Sequence, residues 1–388
     1  MVAVSGLIGF RPHPELVCRV TCPPYDVIKR GSLLWHRLAA EPLSVFHVIL
    51  GERPVEALEK LIKEGALVSD EEPAFYVYEQ RYLAPTGHEE VRIGVLLAAE
   101  VTPYETGHFI RHEKTFDEKV KGRIALAQAI GHTAGAVFTI CPHPLRHLLE
   151  PLTRSAPLYE FTSDFGGESD LHGVHSRVFR IPADSKEGRE IVDALAPHSL
   201  YIADGHHRYH AALLGGQANT LVYVTDFARI QAYNRLIRGK RPFREARRDL
   251  PLRPALQFKT PPLHTFCIYS REGVFELDAK VVPNDVVGRL DCVILERELY
   301  PFLGLEASMI SDPAHFDYVP EYQLETMKEA VDRGLFDIAV ALHPIDLESF
   351  FAVADAGRAN PTVVMPQKST FFAPKVLSGL FVFRHAMR

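Results

Sequence analysis

The residues best suited to chemistry lie in one short stretch from Leu200 to Leu214, Leu-Tyr-Ile-Ala-Asp-Gly-His-His-Arg-Tyr-His-Ala-Ala-Leu-Leu. Leu200, Tyr201 and Ile202 read as the end of a buried strand, and Ala211 to Leu214 as helix. Between them stand Asp204, Gly205, His206, His207 and Arg208. A strand that turns through glycine straight into a helix points backbone N–H groups into one small space. The positive end of the helix dipole adds to that field, so the turn suits a phosphate. Arg208 supplies a planar fork for phosphate oxygens. Asp204 is a candidate to hold a magnesium ion or to orient a histidine. The plainer alternative is a tight turn in which Asp204 caps the helix and the histidines pack or face water.

Three further polar clusters follow apolar runs or rigid turns. In Arg111-His112-Glu113-Lys114-Thr115, Glu113 is a candidate general base toward a hydroxyl, and Arg111 or Lys114 would neutralise phosphate charge. A capped helix start with a solvated first turn is the alternative. Pro23-Pro24-Tyr25-Asp26, taken with Arg11, is a rigid turn able to place one carboxylate accurately, or else a plain turn in which Asp26 caps the next element. Lys368-Ser369-Thr370 with Lys375 offers lysines that reach a site from a loop, or ordinary surface lysines. The apolar run from Leu380 to Phe383 would anchor that tail as a strand. Met365 to Leu380 is therefore expected to fold back against the central turn.

Composition sets the outer limits. A chain of 388 residues implies two or three domains. A formal charge of -6 argues against a DNA-binding surface, though a local basic groove is compatible with it. Cys18, Cys22, Cys141, Cys267 and Cys292 are few and odd in number, which suits free thiols in a reducing cytoplasm. The start of the chain lacks the pattern of a signal peptide, and no apolar run is long enough to span a bilayer. There is no Gly-x-Gly-x-x-Gly, no Gly-x-x-x-x-Gly-Lys-Ser/Thr and no Gly-x-Ser-x-Gly. His206, His207 and His210 lack the glutamate of a His-Glu-x-x-His zinc motif.

The elements that must position these groups follow from periodicity and breakers. Strands are expected at Leu7 to Phe10, Phe75 to Leu83 and Val91 to Glu100, the last two a hairpin through Pro85-Thr86-Gly87. Thr115 is expected to cap a helix from Phe116 to Ile130, with Glu118 completing a capping box. Ala136 to Cys141, Val174 to Ile181 and Thr220 to Asp226 read as strands, and Ser163 to Gly173 as loop. The basic stretch from Arg235 to Arg253 reads as a solvated domain edge or helical linker. Beyond it come a hairpin around Arg271-Glu272-Gly273, helices at Val286 to Tyr300, Leu324 to Arg333 and Leu347 to Ala356, and a strand at Ile338 to Leu342. The expected class is α/β, or α+β mixed, in three segments: 1–100, 101–240 and 241–388.

Ile202-Ala203-Asp204-Gly205-His206-His207-Arg208 resembles the signature of the ParB/sulfiredoxin-like superfamily, closest in form to its free-serine kinases, which carry Asp-Gly-His-His-Arg at the nucleotide phosphates. Over nearly its whole length the chain resembles the bacterial and archaeal family called domain of unknown function ten-fifteen. That likeness rests on Pro23-Pro24-Tyr25-Asp26-Val27, Arg111 to Thr115, the central turn, Met365-Pro366-Gln367-Lys368-Ser369-Thr370, Pro374-Lys375 and Ser378-Gly379-Leu380. The resemblance implies a ParB/sulfiredoxin-like nucleotide-binding domain at 101–240, flanked by N-terminal and C-terminal α/β regions. It implies ATP or ADP, or another nucleotide, with magnesium bridging the phosphates, held by Asp204, Gly205, His206, His207 and Arg208 with Arg111, and closed over by Lys368 and Lys375. The catalytic candidates are Glu113 as base, Asp204 and His206. Sulfiredoxins use a cysteine in this turn where His206 stands, so their chemistry is not expected. The implied activity is phosphoryl transfer to a small hydroxyl compound, with free serine the first guess. The alternatives are a phosphatase acting on phosphoserine or a nucleotide, and a non-catalytic nucleotide switch related to ParB. The sequence leaves the oligomeric state open.

Overall fold

The computed structural model describes residues 1–113 and 117–385. They form a mixed α/β protein of two compact units, one comprising Met1–Ala228 with Pro374–Arg388, the other Arg229–Ala373. The division differs from the three segments expected. Gly94 to Glu100 of the strand Glu89–Glu100 pair with Asn219–Thr225, so residues on both sides of position 100 share one sheet. The terminal strand Val382–Arg384 pairs with Leu7–Pro12 and joins that sheet too.

Among the described residues the first unit holds a twelve-stranded sheet. Its main path runs Phe109–Ile110, Leu200–Asp204, Val137–Ile140, Asn219–Thr225, Glu89–Glu100, Leu67–Leu83, Leu7–Pro12, Val382–Arg384 and His132–Thr133. Leu200–Asp204 runs parallel to Phe109–Ile110 and antiparallel to Val137–Ile140. Leu200, Ile202, Val137, Val222, Val95 and Val224 bury into one core, as strands covered on both faces require. The hairpin strand begins at Leu67, eight residues before the expected Phe75. In its acidic start, Asp70 is paired by Arg11 at 3.0 Å and Arg180 at 2.9 Å. Arg11 thus serves Asp70 and does not join Asp26 as its spacing suggested.

The helix expected from Phe116 is described from Asp117 to Ile130. Thr115 as its cap and Lys114 as a phosphate cation lie outside the described residues. No helix among the described residues is long and apolar enough to cross a membrane.

The second unit is a seven-stranded sheet among the described residues. Its path runs Arg253–Ala255, Gly273–Asp278, Thr265–Ser270, Ile338–Ala341, Arg229–Ile237 and Phe316–Pro320, with Thr370–Ala373 also on Arg229–Ile237. Met327 and Val331 of the helix Leu324–Asp332 pack with Leu236, Cys267, Ala339 and Ala341. The basic stretch is largely exposed from Arg238 onward, as a solvated edge would be, but it begins inside the strand Arg229–Ile237, where Arg235 is 1% exposed and lies 4.6 Å over the Tyr318 ring. Counting its charges hides the strand, because a guanidinium stacked on an aromatic face is satisfied without water. The helix expected over Val286 to Tyr300 shortens to Asp291–Glu298, and the last helix runs through Gly357 to Ala359.

Candidate functional site

The central turn forms because the strand Leu200–Asp204 ends in a register shift between Ile202 and Asp204. Such a bulge re-aims the side chain at the strand end. Gly205 follows with φ +92°, a left-handed conformation that glycine adopts without strain, and a Cβ there would lie 3.0 Å from Arg208 Nε. The helix starts at once, His206–Leu214, with Gly205 as its N-cap. Asp204 is therefore not the helix cap of the plainer sequence alternative. Tyr209 holds the helix down: its hydroxyl donates to Thr102 O at 2.8 Å and accepts from Thr102 N–H at 3.0 Å.

Asp204 is the hub of the cluster. Lys375 Nζ donates to its Oδ1 at 2.9 Å, and Arg208 Nη2 donates to its Oδ2. Arg208 also donates to the Ala136 carbonyl and lies 3.9 Å from Asp26 Oδ2. The side chains of Lys375, Arg208 and Asp204 are 6%, 9% and 17% exposed. Burial alone would raise the Asp204 carboxyl, but the charges of Lys375 and Arg208 hold it well below the usual range. Asp204 and Asp26 together balance the charges of Lys375 and Arg208, so what favours an anion here is the N-terminus of the helix with the donors of the two cations beside it.

A magnesium ion does not fit Asp204 as it stands. Both oxygens already face cations, and among the described residues no group of three His, Cys, Asp or Glu side chains is placed to hold a metal. The expected role of Asp204 as a metal ligand is replaced by that of an anchor for Lys375 and Arg208.

Two histidines lie under the turn. His112 and His206 are 1% and 5% exposed, with ring centroids 4.5 Å apart and nearly perpendicular. Nδ1 of His112 donates to the Ile202 carbonyl at 3.0 Å. Burial pushes His112 down to about 4, and burial next to His112 pushes His206 well below the ordinary value. Both rings are neutral at pH 7. Glu113 is half-buried, with Oε1 3.8 Å from His112 Nε2. Facing a neutral ring at that distance, it makes no ion pair with His112. Arg111 stacks 4.6 Å over the Tyr104 ring, and Tyr104 stacks on His210.

The depressed His112 predicts a pH effect on stability. Its ordinary value of 6.5 applies to the unfolded chain, so the unfolded state gains a proton that the native state refuses as pH falls from about 6.5 to 4. Stability present above pH 6.5 is lost over that window, by roughly 3 kcal/mol at most. Urea unfolding followed by Trp35, the single tryptophan and part of the first unit, should show a smaller loss between pH 7 and 4.5 in His112→Gln than in the parent. An equal loss in both removes His112 as the cause.

The sequence candidates divide between the units. Glu113, Arg111, Asp204 to Arg208 and Lys375 all belong to the first. Lys368 belongs to the second, at a left-handed φ of 57°, with Nζ 3.4 Å from the Tyr233 hydroxyl. Sequence reasoning did not single out Asp170 or Arg92. Asp170 Oδ2 accepts from the Lys375 backbone N–H at 2.7 Å, and burial pushes its carboxyl up to about 6. Arg92 is fully buried and donates to Gln80 and to the Pro374 carbonyl, shaping the turn that presents Lys375.

The chain belongs to the family described as Protein of unknown function (DUF1015), whose match spans residues 6–293. The match stops short of the Met365 to Leu380 tail. No curated protein matches the chain. Among solved structures it is similar to C-terminally truncated SbnI from Staphylococcus aureus, at 10% identity and a TM-score of 0.39 over 74% of this chain and 87% of that one. It is also similar to a mutant free serine kinase in complex with ADP, at 11% identity and a TM-score of 0.37 over 74% and 92% of the two chains. A conserved hypothetical protein from Pyrococcus furiosus gives 11% and 0.37 over 74% and 95%.

Proposed function

We propose that this protein is a nucleotide-dependent phosphotransferase acting on a small hydroxyl compound, with free serine the first substrate to test. The observation that carries the reading is the convergence of Arg208 and Lys375 on Asp204 at a helix N-terminus entered through left-handed Gly205. Phosphoryl transfer depends mainly on positioning and on neutralising charge over the phosphate oxygens. Helix N–H groups, an arginine fork and a lysine point charge supply those functions. The resemblance of Asp204 to Arg208 to the free-serine kinase motif agrees with it.

In this reading the first turn of the helix His206–Leu214 and Arg208 bind the phosphates. Lys375 neutralises charge there, Asp204 positions both cations, and the neutral ring of His206 lines the floor. Glu113 takes the hydroxyl proton. Divalent metal enters with the nucleotide as part of the substrate, since Asp204 offers it no open site. The reading does not require Lys368. It assigns the protein to the cytoplasm, in keeping with its free thiols.

A melting-temperature series with ATP, ADP and AMP on the full chain tests it. A ligand at about a hundred times its Kd stabilises the native state by roughly 2.7 kcal/mol, so a clear upward shift is expected. Arg208→Lys keeps the charge but loses the fork, and should abolish most of that shift. If no nucleotide raises the melting temperature, the reading fails. Binding without conversion of serine to phosphoserine would favour a non-catalytic switch. Release of phosphate from phosphoserine without nucleotide would favour a phosphatase.

A further inference from the structure

Lys375 lies outside the strands and helices of the first unit, yet its main chain is firmly held. Asp170 Oδ2 accepts from its N–H at 2.7 Å, and Gln80 Nε2 donates to its carbonyl at 3.0 Å. Arg92 donates to Gln80 Oε1 and to the Pro374 carbonyl one residue earlier. The two main-chain groups that a strand would pair are thus taken by side chains. The ammonium then meets Asp204 Oδ1 at 2.9 Å. Lysine is a point charge on a flexible stem, so the place of that charge depends on where the main chain is fixed.

The segment that carries Asp170 is built as a support. The strands Tyr159–Thr162 and His175–Pro182 pair as a hairpin, which roughly two to five connecting residues would close, but residues 163–174 intervene. The extra length closes on itself: Gly173 N–H donates to the Ser163 carbonyl at 2.8 Å, and Ser163 N–H to the Val174 carbonyl at 3.0 Å. Phe165 and Leu171 are buried within it. Glu168 Oε2 accepts from Leu34 N–H at 2.8 Å and Arg37 donates to Asp164 at 2.9 Å, which ties the loop to the helix Leu33–Ala40. Compact loops with close ends and their own packed side chains are frequently functional. Stability alone is a poor reason for an acid at 170. Burial disfavours its charged form, and among the described residues its Oδ1 is buried without a hydrogen-bond partner.

We propose that Asp170 is a positioning residue of the phosphate site: with Gln80 it fixes the Lys375 main chain so that one ammonium serves both Asp204 and a phosphate; the inference rests on the phosphate reading of the turn. Asp170 itself touches no phosphate and acts through Lys375. Without its grip the lysine must be ordered anew whenever an anion binds, and the entropy of that ordering opposes affinity.

The test is calorimetric titration of the full chain with pyrophosphate, comparing Asp170→Asn with Asp170→Leu. Both substitutions remove the charge. The amide oxygen still accepts from the Lys375 N–H and leucine cannot, so the ratio of the two affinities reads the hydrogen bond alone. Asp170→Asn is expected to bind pyrophosphate about tenfold more tightly than Asp170→Leu, the size of one misplaced charged contact. In a Lys375→Met background that ratio should fall to one. An acid that is merely structural would change unfolding free energies and leave the two affinities equal, and that result overturns the proposal. So does a ratio that survives Lys375→Met. Binding by the parent with equal variants overturns the positioning role alone, whereas absence of binding by the parent overturns the phosphate reading with it. Should the neutral variants fail to fold, Asp170→Glu keeps the charge and moves the acceptor by one methylene. Weaker pyrophosphate binding than the parent then supports the role, and parent-like binding overturns it.

Discussion

Replacing Lys375 with methionine should cost the first unit about 3–5 kcal/mol at pH 7, the range for leaving one member of a buried ion pair without its partner. Lys375 Nζ lies 2.9 Å from Asp204 Oδ1, with the lysine side chain 6% exposed. Methionine keeps the unbranched apolar stem, one atom shorter, and removes the charge. Asp204 then retains one cation, Arg208, and loses the partner on its other oxygen. Adding Asp204→Asn to the Lys375→Met chain should deepen the loss, because Arg208 then loses the carboxylate it donates to. Both variants can be followed by denaturant unfolding read through Trp35, which reports on the unit that holds the turn. A loss under about 1 kcal/mol is the range of a solvated surface pair, and would mean that Lys375 does not anchor the cluster.

The turn itself was legible in the sequence because everything that makes it is local. An apolar run, an acid, a glycine and a helix start are consecutive, and each has its own physical signature. The partnership of Lys375 with Asp204 spans 171 positions. Sequence suggested the return of the tail only through the apolar run after Leu380. The strand Val382–Arg384, paired to Leu7–Pro12, supplies that anchor. Nothing in the sequence separated Lys375 from Lys368, and the two fall in different units. The magnesium role given to Asp204 came from residue type; its oxygens are occupied by Arg208 four residues on and by the distant Lys375. Arg92 and Asp170 escaped notice for opposite reasons. Arg92 interrupts an apolar strand and looks like an outward-facing charge, yet it is fully buried and donates to Gln80 and Pro374. Asp170 lies in a polar glycine-rich loop, where an acid draws no attention, yet it accepts from the Lys375 backbone. Polar groups buried by distant chain leave no periodic trace.

Glu113→Gln should lower turnover by about 10²–10⁴-fold while leaving nucleotide affinity within roughly a factor of two, given the size of general-base contributions. The amide keeps the shape of the carboxylate and cannot take a proton from a hydroxyl. Glu113 follows the strand Phe109–Ile110, which lies parallel to and beside Leu200–Asp204, so one sheet edge carries both the proposed base and the phosphate turn. His112, immediately before Glu113 in sequence, is fixed by its bond to the Ile202 carbonyl and keeps that local geometry whatever residue stands at 113. The substitution therefore separates chemistry from binding: the phosphates are held by the turn, and the base is needed only when the hydroxyl attacks. Steady-state turnover with a nucleotide and serine, beside a calorimetric Kd for ADP, gives both quantities on one preparation. Unchanged turnover in the presence of unchanged binding would reduce Glu113 to part of a helix approach and require another proton acceptor. Loss of nucleotide affinity in step with turnover would make Glu113 a contributor to binding rather than the base.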